Sequence, residues 1–347
     1  RKYGDQRVTA FDEAELVDFN IAELTPIEQV VVTVTHAGYV KRIPSEQYRT
    51  QGRGGRGIIG AQIKDEDFTE QVFVSSTHDD LLCFTNTGRV YKIKVFEIPQ
   101  ASRTSRGRAM VNLLDLRPAE RVCALMPIED FERQEAFLLF ATARGHVKRT
   151  ALKDYRNVNK GGIIAINLRE DDSLIGVTWT SGDGHVLLGT RSGMAIRFLE
   201  NDVRAMGRSA SGVKGIDLAK DNSVIGLVQV GADDDRDLLT VTSNGYGKRT
   251  ALREYLVQSE GGSTRPQGRG GKGRRDIATS ERNGSVVCVL ATEPSDDLML
   301  ISTGGRIVRI KAGTIRVTGR ATQGVRVINL AHGDSLAAVA RIVDNGD

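Results

Sequence analysis

Short apolar runs that end in a hydroxyl punctuate the whole chain: VVVTVT (30–35), LLCFT (81–85), HVLLGT (185–190), LLTVT (238–242) and LMLIST (298–303). Each is strand length, and a glycine follows within a few residues. A second short run leads away from the glycine, as in YVKRI (39–43), RVYKI (89–93) and RIVRI (306–310). Strand, tight turn and strand make a hairpin, and the glycine supplies the positive φ that the turn needs. A further strand recurs as SLIGV (173–177), SVIGL (223–227), SVVCV (285–289) and SLAAV (335–339), always with a small fourth residue: Gly176, Gly226, Cys288 or Ala338. Small residues at one place in a repeated strand predict crowding near a central axis. Helical periodicity is confined to pieces as short as ALKDY (151–155).

Alignment on Gly38, Gly88, Gly145, Gly193, Gly245 and Gly305 shows that the pattern is a repeat. Three residues earlier stand Thr35, Thr85, Thr142, Thr190, Thr242 and Ser302. Four residues later stand Arg42, Lys92, Arg149, Arg197, Arg249 and Arg309, and ten later Tyr48, Ile98, Tyr155, Val203, Tyr255 and Ile315. The anchor glycines lie 50, 57, 48, 52 and 60 residues apart, the size of a four-stranded blade. The expected fold is all-β: a six-bladed, propeller-like disc of about 50-residue repeats, with residues 1–27 as an acidic lead-in and 28–347 as one domain.

Charge changes the picture more than composition does. The net charge is only +4 over 347 residues, yet the cations are segregated. Residues 88–108 carry six Lys or Arg (Arg89, Lys92, Lys94, Arg103, Arg106, Arg108) against one Glu, and 265–275 carry five with no acid. Acids gather at 11–18 and 232–237. Six cations in register, several flanked by another as in Lys41-Arg42, Lys148-Arg149 and Lys248-Arg249, would array as a ring along a charged polymer. Duplex DNA fits best, because single-strand binders use aromatic platforms and aromatics are only 5% of this chain. Contacts to the backbone position a duplex without reading its sequence.

Catalytic chemistry finds no foothold. There is no nucleophile with a base, no paired-carboxylate site and no metal-ligand cluster. Cys83, Cys123 and Cys288 sit in apolar segments and read as core thiols. His36, His78, His146, His185 and His332 fall near turns and read as surface residues. No apolar run of membrane-spanning length and no signal peptide is seen, so the expected location is the cytoplasm.

Two stretches stand apart: QGRGGRG at 51–57 and QGRGGKG at 267–273. Both fit G-x-G-x-x-G, but neither leads into a helix, which a dinucleotide site requires. Lys272 is followed by Gly273 and not by Ser or Thr, so a Walker loop also fails. The first stretch, with VVVTVTHAGYVKRIPSEQYRT before it, resembles the signature box and first blade of the C-terminal domain of DNA gyrase A, and RKYGDQRVT at 1–9 resembles the end of that enzyme's core, which makes 1–27 a linker.

That resemblance implies a six-bladed β-pinwheel whose neighbouring blades exchange strands and whose basic rim wraps duplex DNA with positive handedness. Within the family this wrapping lets gyrase introduce negative supercoils with ATP. It carries the box to Gln51, Arg53, Gly54, Gly55, Arg56 and Gly57, with Gly52 in place of a usual second cation. The second copy, Gln267 to Gly273, is expected on an extended loop, where Arg269 and Lys272, followed by Arg274 and Arg275, would form a second DNA anchor. The implied partners are double-stranded DNA and the remainder of gyrase A with gyrase B in an A2B2 enzyme. The isolated domain is expected to be a monomer in a bacterial cytoplasm, chromosome-associated and clear of the membrane. No cofactor is expected here; ATP and Mg2+, like the cleaving tyrosine, belong to other parts of the enzyme. The rival readings are the equivalent topoisomerase IV domain and a protein-interaction propeller, whose binding would depend little on salt.

Overall fold

The hairpins of blades one to five form because a threonine and a glycine cooperate at each turn. In the computed structural model, which describes residues 21–35, 37–45, 69–102, 105–133, 135–259, 262–304 and 306–342, Gly38, Gly88, Gly145, Gly193 and Gly245 have φ between 79° and 83°. Their N–H groups donate to the carbonyls of Thr35, Thr85, Thr142, Thr190 and Thr242 at 2.9–3.0 Å. The hydroxyl explains its own recurrence. Thr142 Oγ1 accepts from His146 N at 3.1 Å, Thr190 Oγ1 from Met194 N at 3.0 Å, and Ser302 Oγ from Arg306 N at 3.1 Å.

Six blades of this kind make a β-propeller. In blade four the hairpin His185–Thr190 and Met194–Leu199 is flanked by an inner strand, Val224–Val230, and an outer strand, Arg274–Arg275. The inner strand belongs to the same repeat, whereas the outer strand comes from the fifth. Blades one, two, three and five follow the same rule, with outer strands Arg108–Ala109, Ile163–Ile164, Val213–Lys214 and Val325–Arg326 supplied by the next repeat. Strand exchange is therefore present. Blade six has three described strands, and residues 46–68, with Gln51 to Gly57, lie outside the described residues.

The incoming strand is received by the anchor glycine. The carbonyl of Gly88 accepts from Ala165 and Ile166, that of Gly145 from Gly215 and Ile216, that of Gly193 from Asp276 and Ile277, and that of Gly245 from Val327 and Ile328. No side chain fits there: a Cβ on Gly193 would lie 2.3 Å from the Ile277 carbonyl oxygen.

Apolar burial is divided among the seams between blades. Phe84, Phe140 and Tyr155 meet edge-on or tilted between blades two and three, and Leu188, Ile196, Phe198 and Ile216 pack between blades three and four. A blade alone would leave both faces wet, which is why repeats of this kind stand or fall together. Inner strands of successive blades touch from blade two to blade six, and the inner strand of blade six, Leu336–Ile342, contacts that of blade one, Thr69–Ser76, closing the ring.

The expected crowding of the small inner-strand residues is met at Gly226, where a Cβ would lie 2.2 Å from Val289 Cγ2, but Gly176 has open space beside it. The thiols are free and shielded: burial raises the Cys83 thiol and pushes Cys123 and Cys288 up to about 12.

Gly193→Ala should cost about 2–3 kcal/mol of unfolding free energy in urea titration, through positive φ and the blocked carbonyl. Gly207→Ala, with nothing within 4 Å of the added methyl, should stay within roughly 0.5 kcal/mol of the parent.

Candidate nucleic-acid interface

The cations four residues after each anchor glycine tie blades together. Arg42 Nε donates to Ile98 O at 2.7 Å, Lys92 Nζ to Arg156 O at 2.6 Å, and Arg149 Nη1 to Asn201 Oδ1 at 3.1 Å. Arg197 Nη1 donates to Leu252 O at 3.0 Å and Arg249 Nε to Ile315 O at 2.9 Å. Every one of these acceptors belongs to the following repeat. Arg309 pairs with Asp297 at 2.6 Å.

Within its own blade each of these cations meets a neutralising or polarisable group. Lys92 faces Asp80, Arg249 faces Asp237, and Arg149 stacks on Phe137 at 4.9 Å. Arg42 pairs with Glu28 at 3.6 Å. The expected ring of surface charge is thus mostly internal, and Arg197 is only 1% exposed. A guanidinium with several donors can satisfy many carbonyls at once, so one Arg closes a seam that a short polar residue could not.

The lysines one position earlier are buried too. Lys41 Nζ donates to the carbonyls of Ser102 and Ser105, at 3.2 and 2.9 Å. Lys148 Nζ donates to Ala165 O, and to Arg208 O at 2.6 Å, while Lys248 Nζ donates to Asp276 O at 2.6 Å and Gly319 O at 3.1 Å. Lys148 and Lys248 have no exposed surface, so a phosphate cannot reach them without displacing these bonds. Desolvation, reinforced by nearby Arg208, pulls Lys148 down to about 7. These lysines pin the loops that run to the outer strands.

His185 corrects a second expectation, since it is buried. Its Nδ1 accepts from Arg197 Nε at 3.0 Å, where blades two, five and six place Asp80, Asp237 and Asp297. Burial first, and then Arg197, lowers its pKa below 6.5.

Exposed cationic surface, with Lys214 paired to Asp217 at 3.0 Å, lies instead on the exchanged strands and the loops before them. Arg108, Lys214, Arg275 and Arg326 are exposed on the outer strands, and Lys272 is exposed just before one. Arg274 is half-buried in its strand, with a guanidinium bond to the Leu256 carbonyl. Arg106 is exposed and stacks over Tyr39 at 3.8 Å. Arg89 donates to the Gly161 and Gly162 carbonyls, and Lys94 to His78 O while pairing with Asp80 at 3.1 Å. Gln51, Arg53, Gly54, Gly55, Arg56, Gly57 and Arg103 lie outside the described residues.

The stretch at 267–273 is held to its neighbours by its backbone. Gln267 N donates to Arg197 O at 2.8 Å, Gly270 N to Gly215 O at 2.8 Å, and Asp217 N to Gly271 O at 2.9 Å. Arg269 donates to Lys214 O and, at 3.1 Å, to Asp202 O, so half of its fork is already engaged. The longer fifth repeat forms a small hairpin, Val257–Gln258 with Thr264–Arg265, before this loop.

One regularity is not evident from the anchor-glycine alignment. A second glycine, Gly107, Gly162, Gly212, Gly273 or Gly324, directly precedes each described outer strand, and four residues before it stand Arg103, Val158, Arg208, Arg269 and Arg320, with Arg53 and Gly57 at the same spacing in the sequence of repeat one. Five of the six are Arg. A Cβ on Gly107, Gly212 or Gly273 would lie 2.5 Å from the carbonyl of Val40, Val147 or Ala195, and all three have positive φ. The glycine-rich stretches are thus enriched copies of a loop that every repeat contains. Unequal spacing from the anchor glycine in repeats three and five hides the alignment.

Protonating His185 would remove the acceptor of a buried Arg, and the unfolded chain binds that proton more readily, so stability rises with pH across this titration. Thermal melts should show the loss as pH falls below 6.5, and His185→Asp should move that loss into the carboxylate range.

A family model described as DNA gyrase C-terminal domain, beta-propeller, matches residues 29–76, 79–128, 136–178, 184–230, 236–263, 265–293 and 296–342. The DNA gyrase A proteins of Staphylococcus epidermidis and Staphylococcus aureus are each 42% identical over 346 residues, covering 100% of this chain and 38% of their own length. Among solved structures, the C-terminal domain of DNA topoisomerase IV superposes with a TM-score of 0.79 at 28% identity, covering 92% of this chain and 94% of the other. The DNA gyrase A C-terminal domain superposes with a TM-score of 0.67 at 28% identity, covering 91% and 100%.

Proposed function

This chain belongs to the family of DNA gyrase C-terminal β-propeller domains, and from that membership we propose that it binds duplex DNA without reading sequence and wraps it with positive handedness around its outer wall. The observation that carries this reading is the outer strand: in blades one, three, four and five it is the strand farthest from the axis and presents Arg108, Lys214, Arg275 or Arg326 to solvent. Cations on exposed strands can neutralise phosphates and release counterions, which makes binding tight at low salt and weak at high salt. Bending a duplex costs roughly 1–6 kcal/mol per 20–30 base pairs, so contacts must recur from blade to blade.

Within this reading the buried and half-buried cations hold the wall and the exposed ones hold the DNA. Lys41, Arg42, Lys92, Lys148, Arg149, Arg197, Lys248 and Arg249 fix the blades and loops. Arg106, Arg108, Lys272, Arg274 and Arg275 contact phosphates. The box from Gln51 to Gly57, together with Arg103, supplies further contacts at the first blades, and Arg269 shapes the second box while Lys272 reaches outward. The chain spans 38% of the length of the curated relatives it matches. Its role in the whole enzyme is to present wrapped DNA to the remainder of gyrase A, with gyrase B, in an A2B2 assembly that uses ATP and Mg2+ elsewhere to introduce negative supercoils in the bacterial cytoplasm.

The closer superposition on a topoisomerase IV domain favours one alternative, a bending module without chiral wrapping. Relaxation and religation of nicked plasmid with increasing amounts of this chain separates the two. A ladder shifting toward positive linking difference, and weakening as salt rises, is expected; binding without a linking shift would select the bending module.

In the same assay Arg269→Ala with Lys272→Ala should reduce the linking shift by about half or less, since Arg269 spends bonds on Lys214 and Asp202. An unchanged shift would remove the second box from the DNA path.

A further inference from the structure

Blade five builds a cationic fork around Arg326, one of the outer-strand cations on which the wrapping reading rests. Tyr246 opens the second hairpin strand, where it pairs in register with Arg326 of the exchanged strand. Its phenol oxygen accepts from Arg326 Nη2 at 3.0 Å and from Arg282 Nε at 3.4 Å. Both guanidinium groups also stack over the ring, 5.5 and 5.0 Å from its centroid. Arg282 Nη1 meets Gln323 Oε1, and Arg326 Nη1 meets Asn329 Oδ1, each at 3.4 Å.

Two cations therefore converge on one neutral oxygen. Among the described residues no carboxylate oxygen lies within 4.0 Å of either guanidinium. Their mutual repulsion is offset only by the ring and by amide oxygens, all uncharged. The guanidinium groups are exposed while the ring beneath is buried, so their unused N–H donors face outward from a rigid platform. The same place in blade one carries Tyr39, with Arg106 stacked on it.

We infer that Tyr246, Arg282 and Arg326 seat a single phosphodiester group, the two guanidinium planes gripping its oxygens from either side of the ring. A planar fork suits phosphate, and two forks on one anion cancel the repulsion that the site otherwise holds. The inference rests on the duplex-binding reading and takes the DNA path across blade five.

The test is the salt dependence of duplex binding by this chain, by Arg282→Gln with Arg326→Gln, and by Tyr246→Phe, with thermal melts to confirm folding. Loss of one phosphate contact should make the slope of log affinity against log salt shallower by about 1 in the double variant. Tyr246→Phe keeps the ring but loses the phenol acceptor, and should fall between. A steep parent slope unchanged in a folded double variant would overturn the fork alone, whereas a flat parent slope would remove the duplex reading and the fork with it. Inorganic phosphate titrated alone at matched ionic strength separates a free-anion site from a DNA contact: saturable phosphate binding to the parent and not to the double variant, with the duplex salt slope unchanged between them, would make this a free-anion site and overturn the assignment to DNA.

Discussion

Blades one to five each depend on a backbone edge that their own repeat cannot satisfy. The second hairpin strand has N–H and C=O groups facing outward, and buried or half-buried groups of that kind need partners. The next repeat supplies them with a two-residue strand and with two N–H groups aimed at the anchor-glycine carbonyl, as Asp276 and Ile277 do at Gly193. No turn residue with a Cβ can sit there. The glycine is held in place twice over, by φ and by the approach of the neighbour's backbone.

Strand exchange then determines where charge can be used. To reach the preceding blade, the chain must cross the outer wall after its short 3-10 turn, and that crossing places a loop and a two-residue outer strand on the wall in repeats two to six. Residues on the crossing are free to be cationic because one face of the pleat is solvated. Hairpin cations such as Arg197, Lys148 and Lys248 are not free, because neighbouring blades and loops cover them. Arg197 and Arg275 illustrate the division. The first is sealed against Leu252, Gly231 and His185; the second, on the strand outside it, is exposed.

Buried cations are costly unless fully paired, which explains why carbonyls cluster around them. Lys148 and Lys248 each collect one acceptor from a loop of their own repeat, Ala165 or Asp276, and one from a loop of the next, Arg208 or Gly319. In doing so they fix the loops that carry the exposed arginines. The interior charge is part of the scaffold for the exterior charge, and the glycine-rich loop at 267–273 keeps its shape through backbone bonds such as Gly270 N to Gly215 O.

The blades themselves were legible from the chain alone: six hydroxyl–glycine–cation frames predict six hairpins, and a turn needs only residues that are neighbours in sequence. Inner strands were legible too, from the small residue at their fourth place. The partner of each cation was not, because a side chain as long as Arg or Lys ends on whatever the fold brings near. Arg149 and Asn201 are 52 positions apart. Register in sequence therefore marked a shared position, and the fold puts most of those cations in the seams and not on the surface that the register suggested. Sequence alone determined the repeat, its turn chemistry and its family resemblance, which are local patterns. Only the tertiary structure decided which cations are sealed into seams and which stand on the wall, because exposure depends on strand pairing between different repeats.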